Sequence, residues 1–449
     1  MYSIIKKGKL LFIFAFVMTS IIFSPSFFPL IENDSYSYIR NESIRLSLYP
    51  LLISLFDNNL VNIVILQITI LSLSITFLIY SLIIRKVAKS LIFFFTIFLL
   101  ANIYYTSFAK TILTEALFFS VINFTVSAIL LFRYSERKLI LSILIGFFLG
   151  AIISLRHEGI VISLIFFITF LTLRTSKKNI CLLIVSFIII PFIEISFFYQ
   201  NNQYRSSVIE RSYIGKIFMI SGFENFNRHY VSDEYQPYID KVEPISKEIN
   251  KFINSISNPF LKNNLVSDYE VVAQYQMEEL VDDYIIQKLN KDKISNLFFE
   301  IIKGNLLNYF KLTSSHYFAL WMPGGKHIFF NQQINENDQK IPFANFLNKS
   351  SGSIEVSDNS VLILGLFFFQ LIMLVTVFLF FISIYELCVY KFKKNRCINL
   401  FSILIQIHLF VISFTNIGTP RYLMPIYSLI LVVLIIRLND FLFKRIGKI

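Results

Sequence analysis

Residues 60–84 read LVNIVILQITILSLSITFLIYSLII, a run without one charged side chain, closed by Arg85 and Lys86. A helix of about 20 apolar residues crosses the roughly 30 Å hydrocarbon core of a bilayer. Leu, Ile and Val dominate the stretch, and neither Gly nor Pro interrupts it, so it reads as a transmembrane helix. The basic pair that follows marks the end at which the chain leaves the membrane.

Outward from this run the same pattern recurs. Ten apolar runs are expected to span: Leu10–Leu30, Leu60–Ile84, Leu91–Tyr105, Ile112–Phe132, Leu139–Leu155, Ile160–Leu173, Ile180–Tyr199, Val361–Tyr385, Ile398–Phe414 and Tyr422–Leu438. Several are short for a span. The composition agrees: of 449 residues 55% are hydrophobic, 16% are charged and 51 are Phe. A soluble chain carries about 25% charged residues. Disorder, a collagen-like fibre, a disulfide scaffold and an ordinary cytosolic enzyme are all excluded.

The net charge of +12 would suggest nucleic acid on a soluble protein. The placement of the charges explains it otherwise. Alternate gaps hold Lys6, Lys7 and Lys9; Arg85, Lys86 and Lys89; Arg133, Arg137 and Lys138; Arg174, Lys177 and Lys178; Lys391, Lys393, Lys394 and Arg396; and Lys444, Arg445 and Lys448. The short gaps of the other set hold only Arg40, Arg45, Lys110, Arg156 and Arg421. By the positive-inside rule the six basic segments and both termini are cytoplasmic. The expected location is the inner or plasma membrane, with many passes and no nucleic-acid partner. The first run follows a basic start but is long and lacks a small-residue cleavage pattern, so it is read as a retained helix. Cys181, Cys388 and Cys397 fall at or near cytoplasmic ends, where disulfides are rare, and their spacing matches no metal site.

Three regions follow. Residues 1–199 form an N-terminal membrane domain with seven helices and the first outer loop. Residues 200–360 form an extracytoplasmic domain, and residues 361–449 a C-terminal membrane segment with three helices. The middle region holds 16 Lys and Arg against 19 Asp and Glu. It predicts amphipathic helices over Glu270–Leu289 and Leu297–Leu312, the second suited to a membrane surface. The fold class is an all-α polytopic membrane protein with about ten transmembrane helices and a mostly helical outer domain.

Ionisable residues beside membrane spans are functional candidates. The first outer loop, Ile31 to Arg40, reads IENDSYSYIR and is followed by Arg45 and Tyr49-Pro50. Glu32 and Asp34 therefore lie just beyond the first span. Lys110 and Glu115 flank the start of the fourth. Arg156-His157-Glu158-Gly159 forms the turn between the fifth and sixth spans, and Asn416 to Tyr422 (NIGTPRY) the turn between the ninth and tenth. Cations at several outer helix ends are placed to converge on an anionic group such as phosphate. The plainer alternatives are an Arg156–Glu158 pair and an Arg421 that reaches lipid headgroups, with His157 a turn residue. Glu194, late in the seventh span, is either a buried partner or a site residue. His316, Trp321 and Pro323-Gly324-Gly325 mark a turn in the outer domain.

The order of these features resembles the GT-C superfamily of integral-membrane glycosyltransferases, in the branch of the protein mannosyltransferases and bacterial aminoarabinose transferases. The residues that carry the resemblance are Asp34, Tyr36, Tyr38 and Tyr49-Pro50 in the first loop, then Thr114-Glu115. Arg156 with Gly159 and Arg421-Tyr422 complete the set. It covers the membrane half and hardly touches the middle region. One departure is Asn33, where many members carry an acid adjacent to the Asp.

The resemblance implies transfer of a sugar from a polyprenyl-phosphate-linked donor to a hydroxyl of a glycan, lipid or protein acceptor, with inversion, at the outer face. In that scheme Asp34 is the general base, and Glu32 or Glu115 orients the acceptor. Arg421, Arg156 and Lys110 bind the donor phosphate, and Tyr36, Tyr38 and Tyr422 contact substrate. Some members use a divalent metal such as Mg or Mn; here Asp34 with Glu32 or Glu115 would supply its oxygen ligands. The short cytoplasmic connections agree, because they leave no room for a nucleotide-sugar pocket. The alternative is an O-antigen-type polysaccharide polymerase or ligase, in which loop arginines such as Arg205 and Arg211 dominate. A transporter would show Gly- or Pro-broken helices with polar groups at mid-membrane, and a receptor or scaffold gives no reason for charges at Arg156 and Arg421.

Overall fold

In the computed structural model the described residues are 2–24, 29–42, 45–173, 175–200, 209–256, 259–280, 291–322, 330–333, 353–356, 360–389 and 395–446. They form α1 (Tyr2–Ile22), α2 (Asn33–Ile39), α3 (Leu48–Leu55), α4 (Leu60–Ile84), α5 (Lys89–Ala101), α6 (Ile103–Ser107), α7 (Glu115–Phe132), α8 (Lys138–Leu155), α9 (Gly159–Leu171) and α10 (Lys177–Gln200). There follow α11 (Ile209–Ser221), α12 (Gln236–Ser255), α13 (Pro259–Leu280), α14 (Lys291–Gly304) and α15 (Leu306–Leu320). A two-stranded antiparallel ribbon pairs β1 (Phe330–Gln333) with β2 (Ser353–Val356), and α16 (Ser360–Val389), α17 (Arg396–Thr415) and α18 (Met424–Ile446) complete the chain.

Seven helices are long and apolar enough to cross a membrane among the described residues: α4, α7, α8, most of α10, Gly365–Val389 of α16, α17 and Met424–Leu442 of α18. The chain is a multi-pass helical membrane protein. Three of the ten expected runs differ. Leu91–Tyr105 is not one straight helix: α5 and α6 meet at a 65° bend. The cause is Asn102, whose backbone leaves the helical region and whose side chain accepts the Tyr105 N–H at 3.1 Å, capping a new helix. The run after Arg156 forms α9 of only 13 residues, and the first gives a short apolar helix over Gly8–Ile22.

The chain divides into two compact units: residues 1–206, 374–408 and 424–449, and residues 207–373 with 409–423. In the first unit α8 packs most extensively on α10, and the sequence shows why. Gly146 and Gly150 are one turn apart, and a Cβ on Gly150 would lie 2.5 Å from the Phe187 carbonyl oxygen and 3.0 Å from Pro191 Cδ. Small residues four apart let helix backbones approach in a membrane, where van der Waals contact drives association. Polar side chains add cross-links. Asn123 of α7 donates to Ser74 Oγ and Tyr105 Oη, each at 3.2 Å, and accepts from Ser428 of α18. Arg437 pairs with Glu386 at 3.0 Å and also binds Asn399.

The second unit has its own core, in which Phe218, Tyr269, Leu297, Ile301 and Leu312 are buried and Tyr213 stacks on Phe298 with centroids 4.0 Å apart. The helix expected over Leu297–Leu312 is two helices. At Asn305 the side-chain amide donates to the carbonyls of Asn227 (2.9 Å) and Ile301 (3.0 Å) and accepts the Asn227 N–H at 2.8 Å, so α14 ends and α15 begins. The helix expected from Glu270 begins earlier, within α13, and residues 281–289 lie outside the described set. His316 lies within α15 rather than in a turn, Trp321 caps that helix in the turn that ends it, and Pro323-Gly324-Gly325 are outside the described residues.

Candidate functional site

In the first unit the site is assembled from the short helix α2. Ser35 at its third position accepts the Glu32 N–H at 2.9 Å, which fixes the entry of the chain into α2. Asp34 falls in the first turn, where the exposed N–H groups favour an anion. Arg45 binds it: Nη2 lies 2.8 Å from Asp34 Oδ1, and Nε donates to Ser37 Oγ at 2.7 Å. The same guanidinium lies over the Tyr38 ring, 4.7 Å from its centroid. Asp34 is 39% exposed while its arginine is less so, so the carboxylate is both oriented and reachable.

Tyr38 connects this pair to the buried layer beneath. Its hydroxyl is 3.4 Å from Thr114 Oγ1, and its ring meets Tyr49 edge-on at 5.4 Å. Thr114 donates to Glu115 Oε2 at 3.4 Å, and Glu115 begins α7 with its side chain fully buried. Arg156, the C-cap of α8, donates to Glu115 Oε1 at 2.5 Å and to Glu158. Burial, with Glu115 and Tyr38 nearby, pushes the Tyr49 phenol well above its ordinary value. Tyr49 in turn donates to Gln67, whose amide binds the carbonyls of Thr111 (2.8 Å) and Ala109 (3.3 Å).

Lys110 belongs to the turn that Gln67 holds. Its ammonium donates to the carbonyls of Ile22 (2.8 Å) and Ser24 (2.6 Å), where α1 ends, and the adjoining Leu30 and Thr111 form a single parallel bridge. Glu194 of α10 is buried and accepts the Ser47 N–H at 2.8 Å, tying the loop after α2 to a span. Tyr36 is exposed, with Arg40 above its ring. The structure therefore unites Asp34, Tyr38, Glu115 and Arg156 in one continuous set of contacts, with Glu32 and Lys110 joined through the backbone. The sequence pattern singles out neither Arg45 nor Gln67 for a role in this set. The available signal for Gln67 was an amide in the middle of an otherwise apolar run.

Arg421 and Tyr422 lie in the second unit, in the 3-10 turn Pro420–Tyr422. The segment leading into that turn is fastened to α15, α13 and α11. The Gly418 N–H donates to His316 Nδ1 at 3.0 Å, Ser267 Oγ donates to the Gly418 carbonyl at 3.0 Å, and Lys216 Nζ donates to the Asn416 carbonyl at 3.1 Å. Gly418 is required by proximity, since a Cβ there would lie 2.5 Å from His316 Cα. His316 Nε2 meets Glu270 at 2.6 Å and Lys216 lies 3.3 Å from the same carboxylate, all three buried.

The protons of this triad are set by geometry. Because Nδ1 accepts the Gly418 N–H, the imidazole carries its proton on Nε2 and is neutral. Burial pushes His316 below its ordinary value, and Lys216 adds to this against the pull of Glu270. Burial alone would raise Glu270, but Lys216 and His316 outweigh it and hold the carboxyl below its ordinary value.

Among the described residues no group of three or more His, Cys, Asp or Glu side chains is placed to hold a metal ion. Asp34 is bound to Arg45 and Glu115 to Arg156, so these carboxylates face cations. The set does not fit a metal centre, and no step below runs through one. Arg205 lies outside the described residues, and Arg211 is exposed on α11. Comparison with known protein families, with curated proteins and with solved structures found no match to this chain.

Proposed function

We propose that this chain is a membrane glycosyltransferase that moves a sugar from a polyprenyl-phosphate-linked donor to a hydroxyl of a glycan, lipid or protein acceptor on the outer face of the membrane. The single observation that supports it best is the meeting of Asp34, Tyr38, Thr114-Glu115 and Arg156 from separated segments of the chain. They are among the residues that carry the GT-C resemblance.

In this reading ten spans place both termini in the cytoplasm and the 200–360 region outside. Asp34 removes the acceptor hydroxyl proton as that oxygen attacks the anomeric carbon, and the bond from that carbon to the donor phosphate oxygen breaks. Arg45 holds the Asp34 carboxylate in place. General-base assistance of this kind is worth roughly 10²–10⁴-fold. The leaving group is an anionic lipid phosphate, so a cation aids its departure better than an acid. Arg156 is shared by Glu115 and Glu158, which fix its guanidinium. The resemblance assigns Arg421 to the donor phosphate. Arg156 fixes Glu115, Lys110 anchors the loop, and Tyr36, Tyr38 and Tyr422 contact the substrate.

The test is the envelope of cells lacking this chain. Their glycans and glycolipids should lack one sugar, which the intact chain restores and Asp34→Asn does not. Restoration by Asp34→Asn at the same protein level would remove Asp34 from the chemistry.

A further inference from the structure

Helix α15 is apolar on both faces, which a helix of a domain surrounded by water is not. Its inward face buries Tyr309, Leu312, Ala319 and Leu320 together with the polar Asn308, Thr313 and His316. Its outward face carries Leu306, Leu307, Phe310 and Phe318, with Leu307 63% exposed. Just before it on α14, Phe299 is 60% exposed. A water-facing helix turns polar residues outward.

Two exposed lysines, Lys303 and Lys311, flank α15, which contains neither Asp nor Glu, and Glu300 beside Phe299 is engaged by Ser232. Lys303 Nζ lies 5.5 Å from the Tyr230 ring centroid and Lys311 Nζ 6.0 Å from that of Phe223, so their stems run along apolar surface. Apolar and aromatic residues on one face with lysines at its edge are the features of a helix lying in the membrane interface. There the apolar face sinks roughly 5–10 Å into the headgroup and acyl boundary, and the ammonium groups meet anionic headgroups.

We infer that α15, with Phe299 of α14, is a lipid-docking surface that seats the second unit on an anionic bilayer. The inference rests on the chain being a multi-pass membrane protein and is independent of the sugar-transfer reading. It gives the second unit a fixed depth at the surface where a lipid-borne substrate would present its head.

The protein has one tryptophan, Trp321, which is buried and gives a constant background. Four full-length variants would be reconstituted into phosphatidylcholine–phosphatidylglycerol vesicles, with or without bromine on the upper acyl chain. Leu307→Trp and Phe310→Trp probe the docking face, Phe378→Trp probes the exposed surface of a span, and Lys251→Trp probes a water-facing position on α12. The expected result is loss of the added emission in brominated vesicles for Leu307→Trp and Phe310→Trp as for Phe378→Trp, with protection from aqueous acrylamide. Lys251→Trp should show the reverse. If Leu307→Trp and Phe310→Trp follow Lys251→Trp, the face is in water and the inference fails. Shielding from both quenchers would mean that protein, such as a second copy, covers the face, and fails it equally. Absence of lipid quenching at Phe378→Trp would overturn the span and the docking together.

Discussion

Asp34 and Arg45 form a partly exposed pair, and such pairs contribute only about 0.2–1 kcal/mol to stability. Its value in the proposed site is positional, which separates two effects of mutation. Arg45→Gln should leave thermal unfolding within a few degrees of wild type, yet lower kcat of sugar transfer at least tenfold by freeing the Asp34 carboxylate. Arg45→Lys should recover part of that loss. Equal loss of stability and activity in Arg45→Gln would make the arginine structural only. Glu115 and Arg156 are the opposite case: breaking a buried pair leaves a stranded charge and costs about 3–5 kcal/mol. Arg156→Ala should therefore reduce the yield of folded protein, a result that says nothing about phosphate by itself.

At the scale of elements, the informative feature is the segment Asn416–Tyr422, held on α15, α13 and α11 by His316, Ser267 and Lys216, with Glu270 between His316 and Lys216. His316 takes up its second proton at a lower pH in the folded protein than in the unfolded chain, whose imidazole titrates near pH 6.5. The unfolded state thus binds more protons below that value, and stability falls as pH drops through it. Glu270, held below its ordinary value, adds a further loss of stability as pH falls past about 4.5. Protonation of His316 also removes the acceptor for the Gly418 N–H. Full-length protein in a pH-stable bilayer should show a smaller protection factor for the Gly418 amide, relative to the intrinsic exchange rate at each pH, at pH 5.5 than at pH 7.5, and His316→Asn should flatten that difference. An unchanged protection factor in the wild type would contradict the neutral-histidine assignment.

Elements also show where the sequence was readable. The apolar run at 60–84 became α4 with the same bounds, because composition alone decides a helix that meets only lipid and other helices. The bend at Asn102 and the break at Asn305 were not readable. Each depends on one amide side chain finding backbone partners that folding brings near. In the site, Asp34, Glu115 and Arg156 stood out as charges beside apolar runs. That Arg156 would meet Glu115 as well as Glu158 required the packing of α7 against α8, which spacing does not encode.

Over the whole molecule, 19 of the 41 Lys and Arg lie in six short segments beside apolar runs, and a few of the others, Arg45, Lys110, Arg156 and Arg421, carry the functional proposal. Arg421 is assigned to the donor phosphate, so Arg421→Ala should raise KM for a polyprenyl-phosphate sugar more than it changes kcat. An unaltered KM would remove Arg421 from the donor site. The central claim is the transfer itself. Purified full-length protein in lipid nanodiscs, supplied with radiolabelled polyprenyl-phosphate sugars and an envelope extract as acceptor source, should move label from at least one donor into the acceptor fraction. Asp34→Asn protein of equal thermal stability should move none. Equal transfer by both proteins, or none from any lipid-phosphate donor by the wild type, would contradict the account.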